Sequence, residues 1–229
     1  VVKTVFLLVF SVITIMLIVY VQDGVRKIPV QYAKRVVGRR VYGGQNTYIP
    51  LRVNQAGVIP VIFASSILMF PAMIFSWVQS LESMQEWVQN PFIFWLLNIF
   101  NYNSVTYILI YVALIIFFTY FYTAITFNVQ DLADNMKKYG GFIPGIRAGT
   151  KTVEFLERTV SRVTLAGGIF LAVVSVIPNF LIMIMNVNFY FGGTALLIVV
   201  GVAMDTMRQL ESHLVTRHYE GFMKKKGLR

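Results

Sequence analysis

The sequence predicts an all-α membrane protein with five transmembrane helices, and three observations carry that prediction. Of its 229 residues, 57% are hydrophobic and only 13% charged, against about 45–50% and 25% in soluble domains. The mean hydropathy is +0.67, which excludes a disordered chain, because disorder needs low hydrophobicity with high net charge. The apolar residues fall in runs too long for core helices, and the charges fall almost wholly between those runs. A span needs about 20 mostly apolar residues, since a rise of 1.5 Å per residue then crosses roughly 30 Å of hydrocarbon.

The first span is expected over 5–21. Lys3 ahead of an apolar run has a superficial likeness to a signal peptide, but 17 residues exceed an ordinary signal core. Ile18-Val19-Tyr20-Val21-Gln22 also offers no small-residue cleavage pattern. The second span is expected over 57–78, the third over 105–127 and the fourth over 163–185. The fifth, 189–204, has only 16 residues and needs snorkelling flanks or local thinning of the bilayer. None of the five contains Asp, Glu, Lys, Arg or His. Within the fourth, Pro178 removes a backbone donor, so a kink or unwinding is expected near Val174–Pro178. Gly167-Gly168 is expected to admit a closely approaching neighbouring helix. The opening Val1-Val2-Lys3, without an initiator Met, reads as part of a longer polypeptide.

Charge sets the orientation. The segment between spans one and two carries seven basic residues against Asp23; that between two and three has no Lys or Arg. Six basic and four acidic residues lie between three and four, and six against three follow span five. Nineteen of the twenty basic residues thus fall on one side, Lys3 being the exception. The positive-inside rule makes that side cytoplasmic. The expected cytoplasmic segments are therefore 22–56, 128–162 and the tail 205–229, with the N-terminal end outside.

In the first of these, period-two patterning flanks Gly43-Gly44 and predicts a β-hairpin, with Pro29 and Pro50 restricting its strands to edge-like positions. Segment 79–104, with Trp87, Phe92, Phe94, Trp95 and Tyr102, suits the membrane interface. Residues 129–139 read as a helix, 140–149 as a glycine-rich turn presenting Arg147, and 152–162 as an amphipathic helix start. The tail continues the last span as a polar helix.

Catalytic chemistry finds no footing. With no cysteine, disulfides and Cys-based zinc sites are excluded. His213 and His218 are five apart with no acidic cluster beside them. Glu154 and Glu157 stand at helical spacing from Arg158 and Arg162, an ordinary solvated arrangement. Phosphate-cradling loops, nucleophile elbows and zincin motifs are missing. An enzyme, and any cofactor, is not expected. Half of a small-molecule or ion transporter, with no intramembrane charge in this half, is the alternative reading, but ion coupling usually needs an ionisable group within the spans. A conduit sealed by aliphatic side chains fits better, because such a constriction excludes water and ions by dewetting.

Several stretches then identify a resemblance. Gln31-Tyr32-Ala33-Lys34-Arg35 with Gly38-Arg39-Arg40, and Val53-Asn54-Gln55-Ala56-Gly57-Val58-Ile59-Pro60 followed by Ile62-Phe63-Ala64-Ser65-Ser66, are similar to the SecY family. So are Gly141-Phe142-Ile143-Pro144-Gly145-Ile146-Arg147, Ile177-Pro178-Asn179, and Gly192-Gly193-Thr194 through Leu196-Leu197-Ile198-Val199-Val200. The resemblance is to the second half, spans six to ten, of a pseudo-symmetric ten-helix protein-conducting channel in the bacterial plasma membrane. It implies a channel that threads unfolded preproteins across the membrane and releases apolar helices sideways into lipid. It implies a pore ring including Ile62 and Ile198, with Leu197 adjacent, and a lateral gate at Asn54, Gln55, Ser66 and Phe70. Lys34, Arg35, Arg39, Arg40 and Arg147 would dock the ribosome or the motor ATPase SecA. The implied partners are the N-terminal half of the channel, SecE, SecG, SecA, the ribosome, the translocating polypeptide with its signal sequence, and membrane lipid. Polar substitution of Ile62 or Ile198 would wet the seal, with Ile110 on the third span as an outward-facing control.

Overall fold

The computed structural model describes residues 2–32, 35–37, 40–42, 46–80, 90, 91, 99, 104–185 and 193–226. Helix α1 spans Val2–Gln22, α2 Ile59–Ser80, α3 Val105–Thr126, α4 Val129–Lys138, α5 Thr150–Met185 and α6 Gly193–Lys226. Strands β1 (Val25–Tyr32), β2 (Arg35–Val37), β3 (Arg40–Tyr42) and β4 (Asn46–Arg52) lie between α1 and α2, and β5 (Gly141–Phe142) between α4 and α5. Four helical stretches are long and apolar enough to cross a membrane: Lys3–Gln22, Ile59–Val78, Val105–Lys138 and Thr150–Pro178. The chain is thus a multi-pass membrane protein. Of the expected fifth span, 189–204, the first four residues lie outside the described ones; the remainder opens α6.

Two cores organise these elements. In the larger, Ile18 of α1, Val61, Ala64 and Leu68 of α2, and Tyr107, Tyr111 and Ile115 of α3 meet Leu171, Ala172, Val174 and Val176 of α5 and Leu197 and Val200 of α6. Helix α5 is central: 56% of its apolar window is buried, against 11%, 17% and 22% for the other three. A membrane helix without a polar face gains little from the hydrophobic effect inside lipid, so close fit must hold the bundle. Threonines and serines turn their hydroxyls back into their own helices, as Thr119 does to the Ile115 carbonyl (2.6 Å) and Ser175 to that of Leu171 (2.7 Å). This satisfies the hydroxyl without spending a neighbour's backbone.

The smaller core lies at the basic end. Ile28 and Val30 of β1 alternate inward and join Leu51 of β4, Ala133 and Met136 of α4, Ile143, and Leu156 and Val160 from the first turns of α5. Strand β1 pairs antiparallel with β4 from Val25↔Arg52 to Gln31↔Asn46, and with β5 only at Gln31 and Tyr32. The sheet order is β4-β1-β5. Pro29 therefore sits where β1 has a neighbour on one side only, and Pro50 lies on an edge strand, so neither interrupts a ladder that needs its missing N–H.

The expected hairpin is present as the β1–β4 ladder, and the structure adds detail to it and to the fourth span. The hairpin is nested: the β1–β4 ladder encloses a separate β2–β3 hairpin, paired from Arg35↔Tyr42 to Val37↔Arg40. Gly43-Gly44, the expected turn, lies outside the described residues. The fourth span and the amphipathic start before it form one helix of 36 residues. That helix passes Pro178 without unwinding, with Leu171, Ala172, Val174 and Val176 buried on its N-terminal side. Pro71, inside α2, carries the same loss of a donor and was not singled out by the pattern.

Candidate functional site

The chain segment leading from β4 into α2 is where the pieces converge. Val53 N–H donates to the Gly24 carbonyl (2.9 Å), tying the end of the sheet to the end of α1. Gly167 of α5 packs against the same point, so closely that a Cβ there would overlap the Val53 carbonyl oxygen. Gly168 faces Thr119 of α3, where a Cβ would find ordinary contact at 3.5 Å. The glycine pair thus admits a close approach, but Gly167 receives a strand end rather than a helix.

Asn54 follows directly. It is 7% exposed, and neither its amide oxygen nor its amide nitrogen has a hydrogen-bond partner. An unmet buried amide costs about 1–3 kcal/mol. Asn54 and half-buried Gln55 line a polar cavity of about 230 Å³ with Gln22, Arg52, Tyr122 and Arg208. Across its rim Arg208 of α6 donates to Asp23 Oδ1 (2.7 Å) and to the Gln22 carbonyl (3.2 Å), joining the last helix to the end of the first. Sequence reading gave no warning of this clasp, since nothing local marks a contact between residues so distant in the chain.

Along α2, Ile62, Ser66 and Phe70 recur at four-residue spacing and are all exposed, forming one stripe. The Ile62 carbonyl accepts from both Ser65 Oγ (2.9 Å) and Ser66 Oγ (2.8 Å), so the Ser66 hydroxyl is turned into its own helix. Phe63, Ile67 and Ile74 widen the stripe. On α6, Ile198 is half-buried. Leu197 is 0% exposed within the larger core, which removes it from any surface the helices line. Its place is behind Ile198, as packing. Ile110, chosen from sequence as an outward residue, also packs against that core, whereas Leu109 is exposed.

The basic residues divide by location. Arg147 is exposed in a turn bounded by Gly145 (φ 82°) and Gly149 (φ 111°), conformations that a residue with a Cβ rarely adopts. Its carbonyl accepts from Thr152 Oγ1 (3.0 Å), which ties the turn to α5. Arg35 and Arg40 lie on the two strands of the inner hairpin. Lys34 and Arg39 lie outside the described residues. No cluster of metal-ligating side chains occurs among the described residues.

Apolar helices around a central α5, with a small mixed domain at their basic end, define a polytopic helical membrane protein. The family model for SecY matches residues 1–207, and the chain belongs to the SecY family. It is 48% identical over 214 residues to the protein translocase subunit SecY of Streptomyces scabiei, covering 93% of this chain and 47% of that one. It is 51% identical over 222 residues to the corresponding subunit of Mycobacterium tuberculosis (strain H37Rv), covering 93% and 49%. The chain spans about half the length of these curated relatives. A solved structure of a protein-conducting channel superimposes with a TM-score of 0.56 at 19% identity, over 91% of this chain and 49% of the other. A second, concerned with the plug domain of SecY, gives 0.57 at 19% identity, over 91% and 50%. At that identity the two structures speak for the fold alone.

Proposed function

We propose that this chain forms the second half of a protein-conducting channel, which passes unfolded preproteins across a bacterial plasma membrane and releases apolar segments sideways into lipid. The observation that carries the reading is the exposed stripe Ile62–Ser66–Phe70, an aliphatic residue, a small polar one and an aromatic ring in line on one helix. In this reading Ile62 and Ile198 contribute to a seal completed by the N-terminal half. Branched aliphatic side chains fit around a passing polypeptide without offering it hydrogen bonds, and exclude water when it is absent. Ser66 and Phe70 flank the lateral exit, with Asn54 and Gln55 where the chain enters α2 at its basic end. The basic end faces the cytoplasm, with the C-terminus there. The inner hairpin and Arg147 meet SecA or the ribosome, whose acidic or phosphate-rich faces suit them. SecE and SecG complete the assembly, and the motor or chain elongation, not this subunit, supplies the energy.

This chain contributes no cysteine of its own to a cross-linking test, which uses a channel whose other parts are also freed of cysteine. Ser66→Cys and Phe70→Cys, each in the complete channel, are combined with a preprotein arrested during translocation and bearing one cysteine in its signal sequence. Disulfide cross-links should form from both positions and not from Leu109→Cys, an exposed residue on α3. Equal cross-linking from all three would reduce the stripe to a lipid-facing surface.

A further inference from the structure

The polar cavity that Gln22, Arg52 and Arg208 line lies on the basic side of the two isoleucines read as parts of the seal. On α2 it reaches Val58 and Ile59; Ile62 stands one turn further, its N–H donating to the Val58 carbonyl (3.3 Å). On α6 it reaches Gly201 and Val202, and Ile198 stands one turn before them. Residues three and four apart share a helix face, so each isoleucine continues a face that lines the cavity, about 5 Å beyond it. We propose that Arg208 and Asp23 are positioning residues for the seal. Their ion pair fastens α6 to the end of α1, where the entry to α2 is fastened too, and so sets Ile198 against Ile62. The inference rests on reading these two isoleucines as a seal.

The anchor is three consecutive residues. Arg208 Nη2 donates to Asp23 Oδ1 (2.7 Å) and to the Gln22 carbonyl (3.2 Å). The next carbonyl, that of Gly24, accepts from Val53 N–H (2.9 Å), and Val53 leads directly into α2. Gln22 ends α1, where carbonyls lose their donors within the helix and a cation is favoured. Asp205, one turn before Arg208 on α6, lies 3.9 Å from Nη1 and helps to aim the guanidinium. Arg208 reaches back towards α1 because side chains on a helix lean towards its N-terminus. Both helices that carry a sealing isoleucine are thus tied to Gln22, Asp23 and Gly24, one by a side chain and one by the backbone.

Packing holds α6 firmly only on the far side of the cavity. Leu197 and Val200 are buried in the larger core, and a Cβ at Gly201 would come within 3.1 Å of the Val58 side chain. Towards the basic end, Met204 is half-buried at the edge of that core, while Asp205, Thr206, Met207 and every residue of 209–214 are exposed. Between this stretch and the start of α2 stands the cavity of about 230 Å³, which transmits no close fit. Arg208, half-buried among exposed neighbours, is therefore the attachment that keeps this end of α6 from tilting. A partly exposed ion pair adds little to overall stability. Its loss should accordingly show in where α6 sits rather than in when the protein unfolds.

The test uses the complete channel in vesicles, with resting ion conductance measured in the absence of a translocating chain. Arg208→Gln and Asp23→Asn should each raise leakage about fivefold, the population change that follows from losing one charge-assisted hydrogen bond. The double variant should leak no more than either single one, because the two substitutions remove a single interaction. Arg208→Lys keeps the charge and should retain most of the seal. Arg158→Gln, which breaks only an exposed pair within α5, should leave conductance unchanged. Spin labels at Met69→Cys on α2 and Leu210→Cys on α6, both exposed, report the distance between the helices by double electron–electron resonance. Arg208→Gln should broaden that distribution with thermal unfolding little changed. An unchanged distribution overturns the proposal, as does leakage in the double variant equal to the two single effects combined. Leakage from Ile198→Asn without any from Arg208→Gln overturns this proposal alone. No leakage from Ile198→Asn overturns the reading of a seal, and the positioning role with it.

Discussion

Gly167 and Gly168 are chemically identical neighbours, yet the structure assigns them different work. A methyl group at Gly167 meets the Val53 backbone, which cannot swing aside as a flexible side chain would; at Gly168 it meets the Thr119 side chain at ordinary distance. Gly167→Ala should therefore cost about 1–3 kcal/mol, the range for overpacking a close contact. Gly168→Ala should be near neutral. Thermal unfolding of the complete channel in detergent separates the two, and equal loss from both would show that the Val53 segment yields easily. A close approach at the pair was legible in the sequence, because two adjacent glycines in an apolar helix have few other uses. Which glycine bears it was not, since its partner lies more than a hundred residues away and is a strand end without a sequence mark. The same holds for Asn54: its type and place were readable, its unmet amide was not.

At the scale of elements, α5 couples the two cores. Its first turns put Leu156 and Val160 beneath the sheet, and its later turns put Leu171, Val174 and Val176 among the membrane helices. Sequence patterning divides this helix in two because its composition changes from amphipathic to apolar, while its backbone continues unchanged. Long-range pairing was also illegible: alternation finds β1 and β4, but the two-residue β5 joins from another loop, and Gly141 fits there because a Cβ would crowd Tyr32 and Val30. Leu156→Ala removes a fully buried side chain from the smaller core and should cost about 2–5 kcal/mol. The loss should fall on the basic-end domain, seen as faster limited proteolysis of segments 25–52 and 140–149 with membrane insertion unchanged. Uniform loss of the whole bundle would show that the two cores unfold together. Arg147→Glu, by contrast, alters an exposed side chain on a turn and should spare stability. If that turn docks an anionic partner, the substitution should weaken SecA or ribosome binding steeply, and the unaltered interaction should itself weaken as salt rises. Unchanged affinity would leave Arg147 as a topology signal.

For the whole molecule, the question is what the exposed apolar faces are for, since lipid contact and a pore lining look alike in composition. Burial sorts the residues into exposed and packed. Ile62 is exposed and Ile198 half-buried on helices that also share the larger core, whereas Leu197 is sealed inside it. Sequence similarity singled out all three together; burial divides them, because adjacent residues on a helix point about 100° apart, so that Leu197 and Ile198 do not share one environment. Ile62→Asn and Ile198→Asn should therefore leave the fold intact and wet the seal, raising resting ion conductance. Leu197→Asn should instead destabilise, by placing an unmet amide in a packed core. The control is Leu109→Thr, exposed on α3, in place of Ile110, which packs against the core. Each variant of the complete channel is reconstituted in vesicles, and ion conductance is measured without a translocating chain, beside thermal unfolding in detergent. The expected pattern is leakage without destabilisation for the two ring positions, destabilisation for Leu197, and neither for Leu109. Leakage from Leu109→Thr equal to that from Ile62→Asn would mean that any polar group on the apolar surface perforates the membrane, and the ring would lose its special place. Leakage from Ile62 alone would put Ile198 among the packing residues and leave the seal, on this side of the channel, to α2.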